Sequence, residues 1–159
     1  MTSILERRRI EAEFARTLLA TMERHMTRDA ALAILREAVV RMARDSGAAM
    51  AQEQGGAPDL ADFAALLPRW QADDALAIDF LQATPTRLDF NVTRCRYAEM
   101  YRELGIPELG AVLSCNRDGE FCRGYNPAIG FARSQTIMQG APHCDFRYTL
   151  DGEPADNAD

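Results

Sequence analysis

The stretch Phe90-Asn91-Val92-Thr93-Arg94-Cys95-Arg96-Tyr97 decides the fold, because the apolar period of the chain changes within it. Before Cys95, Leu88, Phe90 and Val92 alternate with polar residues, which is the period of a half-buried strand. After Cys95, the apolar residues return to helical spacing. The sequence therefore predicts a strand that passes directly into a helix.

The first eighty residues are predicted to form amphipathic helices. Thr27 can cap the second of them, and Gly47 is a natural stop for it. The apolar residues of the first helix recur every four positions and are expected to face the core: Ile10, Phe14, Leu18, Met22 and Met26. The inner face of the second helix is expected to carry Ala31, Ile34, Leu35, Ala38, Val39 and Met42.

Shorter helices are expected between this pair and the junction. Asp59 can cap one, and another is predicted from Asp73 to Leu81. The chain thus divides into a helical region at 1–82, an α+β catalytic or binding region of the same domain at 83–150, and a flexible acidic tail at 151–159.

Two further strands are predicted near the C-terminus. The first carries Ile129, Phe131, Arg133, Gln135 and Ile137 on one face, and the second carries Cys144, Phe146, Tyr148 and Leu150. The intervening segment 139–142 is expected to be their hairpin, and 116–119 is rich in turn-forming residues. The predicted fold class is α+β, with N-terminal helices packed on a small antiparallel sheet formed by the C-terminal half.

Composition narrows the possible partners. A net charge of −6 argues against a nucleic acid or an anionic membrane, and the absence of lysine excludes Schiff-base chemistry on a lysine. Four cysteines without close pairing, behind an N-terminus with no apolar leader, predict reduced thiols in the cytoplasm. The apolar helices make a homodimer plausible.

Cys95 is the first candidate for chemistry. It begins a helix between Arg94 and Arg96, where backbone N–H groups and positive charge favour a thiolate. We therefore expect a depressed pKa and a nucleophilic role, with a small buried residue at the strand-helix corner as the alternative.

Other polar residues could complete a site. Asp118 and His143 are candidate proton carriers, and the guanidinium of Arg133 suits a substrate carboxylate, although a surface strand is an equal alternative for it. The remaining candidates for contacts to a substrate are four amide and phenol side chains: Asn91, Tyr97, Asn126 and Gln135.

No cofactor is predicted, although a metal bound by Cys115, Cys144 or His143 is left open. The spacing of these residues lacks the Cys-x-x-Cys pair that identifies a zinc site.

Several motifs resemble those of the L-2-amino-thiazoline-4-carboxylic acid hydrolase family. They lie between residues 85 and 150 and comprise Asn91-Val92-Thr93-Arg94-Cys95, Gly105-Ile106-Pro107-Glu108-Leu109-Gly110, Ser114-Cys115 with Asp118, Tyr125-Asn126-Pro127, Arg133-Ser134-Gln135-Thr136 and Gly140-Ala141-Pro142-His143-Cys144-Asp145-Phe146-Arg147-Tyr148. Arg96 departs from the proline that the family more often has there. The ending from Gly140 to Phe146 is also similar to that of vinyl-4-reductase-type ligand-binding domains, a likeness that bears on fold.

The resemblance implies a small hydrolase that opens a C–N bond of a cyclic amidine. Cys95 would attack the amidine carbon as a thiolate or position water there, while Asn91 and Gln135 would donate hydrogen bonds to the tetrahedral intermediate. A non-catalytic module that binds a small molecule or a metal is the alternative, and an assembly protein is a third possibility.

Overall fold

The computed structural model describes residues 1–150, and the predicted tail at 151–159 lies outside them. The helices are α1 (Ile4–Met22), α2 (Arg28–Glu53), α3 (Leu60–Ala64), α4 (Leu67–Gln71), α5 (Arg96–Glu103), α6 (Pro107–Gly110) and α7 (Arg117–Tyr125). The strands are β1 (Leu76–Ala83), β2 (Arg87–Cys95), β3 (Gly130–Ala132) and β4 (Cys144–Thr149). A single π-helical turn, Ala111–Cys115, continues α6.

The four strands form one antiparallel sheet in the order β1-β2-β4-β3. Phe90 of β2 pairs with Phe146 of β4, and their rings stack with centroids 4.9 Å apart. Side chains alternate along a strand, so this register places the apolar residues of β2 and β4 on the face that meets the helices. The predicted α+β class is confirmed.

The strand-helix junction is confirmed at Cys95. Cys95 ends β2 and is the N-cap residue of α5, where its sulfur accepts a hydrogen bond from the backbone N–H of Ala98 at 3.4 Å. The predicted caps Thr27 and Asp59 are confirmed as well: each accepts from a backbone N–H in the first turn of its helix. Local chemistry alone fixes these starts.

The expected end of α2 at Gly47 is wrong. The helix continues to Glu53, and Gly47 is buried against α7, where an added Cβ would lie 2.1 Å from the carbonyl oxygen of Phe121. Gly124 faces the carbonyl of Arg44 in the same way, at 2.0 Å. Glycine is therefore present to let two helix backbones touch, not to stop a helix.

The predicted core face of α1 is confirmed only in part, because Leu18 and Met22 pack against the core but Ile10 and Phe14 do not. Ile10 and Phe14 are 57% and 70% exposed, whereas Ala12, Ala15 and Leu19 are buried. A spacing of four advances about 40° around a helix at each step, so the apolar stripe winds off one face. Met26 lies beyond the end of this helix and is exposed. Of the face predicted for α2, three residues are buried and three are exposed: Ala31, Leu35 and Val39 against Ile34, Ala38 and Met42. The homodimer remains a prediction.

The helix expected from Asp73 to Leu81 is instead strand β1. Its residues pair antiparallel with β2, with Phe80 opposite Phe90. Asp73 and Asp74 have φ values of 60° and 53°, which a continuing right-handed helix cannot accommodate. Pairing with a neighbouring strand therefore overrides the local pattern.

The strand expected from Ile129 to Ile137 is shorter than predicted. Only Gly130–Ala132 pairs with β4, because the carboxylate of Asp145 accepts hydrogen bonds from the backbone N–H groups of Ser134 and Gln135, at 2.9 Å each. The connection to β4 is a segment containing a 3₁₀ turn at Ile137–Gln139 rather than a tight hairpin.

Asp118 lies on a helix, where the sequence suggested a turn at 116–119. The π-helical turn runs into α7, so Asp118 belongs to the first turn of that helix.

Replacing Gly47 with alanine is expected to lower the free energy of unfolding by about 1–3 kcal/mol, the usual cost of overpacking. The atoms it would meet are backbone atoms of α7, which cannot rotate aside. Denaturant unfolding measures the effect, with Ala49→Ser on the exposed side of α2 as a control that stays within about 0.5 kcal/mol. An unchanged or increased stability of Gly47→Ala would contradict the close helix crossing.

Candidate functional site

A cavity of about 260 Å³ lies between the sheet and the helices. Most of its wall is apolar, and four elements supply characteristic side chains: Phe90 from β2, Phe146 from β4, Met50 from α2 and Phe121 from α7. Trp70, the single tryptophan of the chain, also lines it. The polar side chains of the wall are therefore the candidates for binding or chemistry.

Asp118 and Arg133 form one polar pair in the wall of the cavity. Nη1 of Arg133 lies 2.5 Å from Oδ2 of Asp118, and Nη2 donates to the carbonyl of Cys115 at 3.1 Å. The guanidinium also lies 5.2 Å from the ring centroid of Phe146. Arg133 is thereby held in place by a carboxylate, a carbonyl and an aromatic face.

Burial raises the pKa of Asp118, because the charged form loses hydration deep in the protein. The charge and hydrogen bond of Arg133 oppose this rise, and the charges of Arg8 and Arg117 oppose it further. The side chain keeps 26% of its exposure because it faces the cavity. A carboxylate in this setting can exchange a proton with a ligand.

Three of the four cysteines, Cys95, Cys115 and Cys144, line the same cavity, and all four are free. Burial raises the pKa of Cys95 to about 11, and the hydrogen bond from Ala98 only partly offsets it. The expected depression of this pKa is therefore wrong, because desolvation outweighs the helix N-terminus. Burial raises the pKa of Cys115 and Cys144 as well, so the thiols are neutral at ordinary pH.

Tyr97 also reaches the cavity, and its hydroxyl donates to the carbonyl of Trp70 at 3.1 Å. Ser114 belongs to a motif of the family resemblance but was not predicted for the site; it lines the cavity, and its hydroxyl lies 2.9 Å from that of Tyr101. The π-helical turn carries both Ser114 and Cys115, and such turns are frequent at functional sites.

Arg8 of α1 and Arg117 of α7 form a second polar group in the wall of the cavity. Both pair with the carboxylate of Glu11, at 2.8 Å and 3.0 Å. Sequence reasoning missed this cluster, because Arg8 and Glu11 have the spacing of an ordinary surface ion pair on a helix. The cluster exists only because α1 and α7 meet at the cavity.

Four of the residues predicted for the site are absent from the cavity wall. Asn91 lies on the opposite face of β2 and accepts a hydrogen bond from Arg147, and Gln135 donates to the backbone carbonyl of His143. Asn126 bridges Pro58 and Ala128. The structure therefore brings together Cys95, Tyr97, Asp118 and Arg133 but not Asn91, Asn126, Gln135 or His143.

Within the described part of the chain, no three histidine, cysteine, aspartate or glutamate side chains are grouped as a metal site would require. This observation does not test the prediction that the protein binds no cofactor. Among residues 1–150, no helix combines the length and the apolar character needed to cross a bilayer.

The raised pKa of Cys95 predicts slow alkylation at neutral pH. With iodoacetamide, the rate of modification at Cys95 is expected to rise with pH towards about 11, because only the thiolate reacts. Mass spectrometry of digested samples maps the rate to each cysteine, and the same reaction in denaturant is the control in which burial no longer acts. Fast modification of Cys95 in the folded protein well below pH 8 would contradict the effect of burial.

Most of the chain matches one family of known proteins. A family model described as L-2-amino-thiazoline-4-carboxylic acid hydrolase matches residues 7–148, and no curated protein matches the chain. The matched range includes Arg8 and Glu11 of α1 as well as Cys95, Asp118 and Arg133. It therefore extends the resemblance in the C-terminal half to the helices that close the cavity. The chain belongs to the L-2-amino-thiazoline-4-carboxylic acid hydrolase family and is, at the level of the family, a hydrolase of small molecules.

Proposed function

We propose that the protein hydrolyses a cyclic amidine that carries a carboxylate, such as L-2-amino-thiazoline-4-carboxylate, by opening a C–N bond of the ring. The observation that carries this proposal is Asp118, a half-buried carboxylate that faces a small, mostly apolar cavity and is held by Arg133. A cavity of about 260 Å³ is at the small end of ligand sites, which suits a single-ring substrate.

Water is the nucleophile in the proposed reaction. Its oxygen adds to the amidine carbon while one of its protons passes to the carboxylate of Asp118. Asp118 gives that proton to the ring nitrogen, then takes the hydroxyl proton of the tetrahedral intermediate and delivers it to the same nitrogen as the C–N bond breaks. The nitrogen leaves as an amine, and a carbamoyl group forms on sulfur. Each proton is accounted for, and Asp118 ends in its starting form.

Arg133 acts as a positioning residue in this scheme. Its guanidinium keeps the carboxylate of Asp118 pointed at the cavity and opposes the rise in its pKa. Two of its nitrogen atoms already donate to Asp118 and to the carbonyl of Cys115. Holding Asp118 is therefore a better supported role than holding a substrate carboxylate.

Cys95 contributes as a neutral thiol. Its pKa of about 11 leaves little thiolate near neutral pH, which favours a part in positioning water over direct attack. Tyr97 closes the wall of the cavity beside it. The four free thiols are the state that a reducing compartment maintains, which supports the proposed cytoplasmic location.

Asp118→Asn is expected to lower kcat by about 100- to 10,000-fold, the usual contribution of a general base. Asp45→Asn on the exposed surface of α2 is the matched control and should keep full activity. The assay follows release of the carbamoyl product from L-2-amino-thiazoline-4-carboxylate. Full turnover by folded Asp118→Asn would overturn this assignment.

The pH dependence of kcat provides a second prediction for Asp118. Because its pKa is raised, activity should be lost as pH falls through a value above 3.8, the ordinary value for aspartate. Arg133→Gln should move this acidic limb to higher pH, since it removes the positive charge that stabilises the carboxylate. An unmoved limb in Arg133→Gln would show that another group titrates.

Cys95→Ser separates the two roles considered for the thiol. A hydroxyl can still hydrogen-bond to water, so we expect kcat to fall by less than about tenfold. Mass spectrometry during turnover should show no covalent adduct on the native protein. A trapped adduct on Cys95, with an inactive Cys95→Ser variant, would instead establish nucleophilic catalysis.

A further inference from the structure

The wall of the cavity carries an excess of positive charge where α1 and α7 contribute to it. Arg7, Arg8 and Arg117 all line it, and Glu11 is the carboxylate that pairs with two of them. The side chains of Arg8 and Arg117 are only 15% and 12% exposed, so solvent does little to screen them. The apolar wall around them lowers the local dielectric constant and strengthens their attraction for an anion.

Glu11 uses only part of the donor capacity of these two guanidinium groups. Arg8 donates to Glu11 through Nη1 alone, while Arg117 uses Nη2 for Glu11 and Nε for the carbonyl of Leu113. Among residues 1–150, no partner is seen for Nη2 of Arg8 or Nη1 of Arg117. A guanidinium can donate five hydrogen bonds, so both side chains can accept a further anion.

The pKa of Arg117 also indicates that this pair of arginines can bind an anion. Burial lowers the pKa of Arg117, and the positive charge of Arg8 lowers it further, which means that the two cations repel each other. A ligand carboxylate between them would relieve this repulsion. Arg133 also lines the cavity, but it is already neutralised by Asp118.

We propose that Arg8 and Arg117 together bind the carboxylate of the substrate and so select for anionic rings. This inference rests on the proposed function and deepens it. Glu11 positions the two guanidinium groups, and the ring then extends from α1 towards Asp118 and Cys95, where the reaction takes place. Recognition of the carboxylate and proton transfer are thereby assigned to different side chains of one cavity.

Binding can be measured without hydrolysis, because Trp70 lines the cavity and is the single tryptophan. Its fluorescence reports binding of thiazolidine-4-carboxylate, a saturated ring with no amidine to hydrolyse. We expect Arg8→Gln to weaken this binding by roughly 10- to 100-fold, the value of a hydrogen bond between charged groups. Thiazolidine, which lacks the carboxylate, should bind native protein and variant equally weakly.

Two variants serve as controls. Arg9→Gln removes the neighbouring arginine, which pairs with Glu103 on the surface and is not part of this cavity, and it should bind as the native protein does. Arg8→Lys keeps the charge but loses the fork of donors, so it should recover part of the affinity. Circular dichroism establishes that each variant is folded.

The outcomes separate the two proposals. Native-like binding of the carboxylate by folded Arg8→Gln would overturn the role of Arg8, whatever the turnover of L-2-amino-thiazoline-4-carboxylate. Binding that depends on Arg8 in a protein without turnover would support the anion site and overturn the proposed hydrolysis. In an active enzyme, the same substitution should raise KM much more than it lowers kcat.

Discussion

The contact between the backbones of α2 and α7 is the constraint on which the rest of the structure depends. Gly47 and Gly124 lack the Cβ atoms that would hold the helices apart, so carbonyl groups of each helix touch the other. The salt bridge from Arg44 to Glu120 reinforces the crossing. Because α7 carries Asp118 in its first turn, this close approach sets the depth of the carboxylate in the protein.

The cavity that results is mostly apolar, with two polar groups of side chains in its wall. Such a wall has two opposite effects, because it strengthens interactions between charges and penalises any charge without a partner. Asp118 stays compatible with burial because Arg133 is beside it. Among residues 1–150, no cation opposes the effect of burial on the thiol of Cys95, which remains protonated. The chemistry of the site therefore follows from which groups have partners. The position of Cys95 at the N-terminus of α5 affects its pKa less than burial does.

The candidate site was predictable from the sequence only in part. Cys95, Tyr97, Asp118 and Arg133 line one cavity, and their residue types were sufficient to select them. Arg8 was not selected, since an arginine three residues before a glutamate is typical of a solvated helix. A polar side chain can face the cavity or bond to a neighbouring backbone group. Which of the two occurs depends on the face of the strand that carries it and on elements far away in the sequence.

The sequence by itself determined the α+β class, the junction at Cys95 and the helix starts at Thr27 and Asp59, because each depends on residues close together in the chain. Only the tertiary structure decided that 76–83 is a strand, that Gly47 lies inside a helix, and that α1 buries its alanine side. These features depend on what each segment packs against. The same is true of the pKa of Cys95. The neighbouring residues in the sequence favour a low value, but burial in the folded protein raises it.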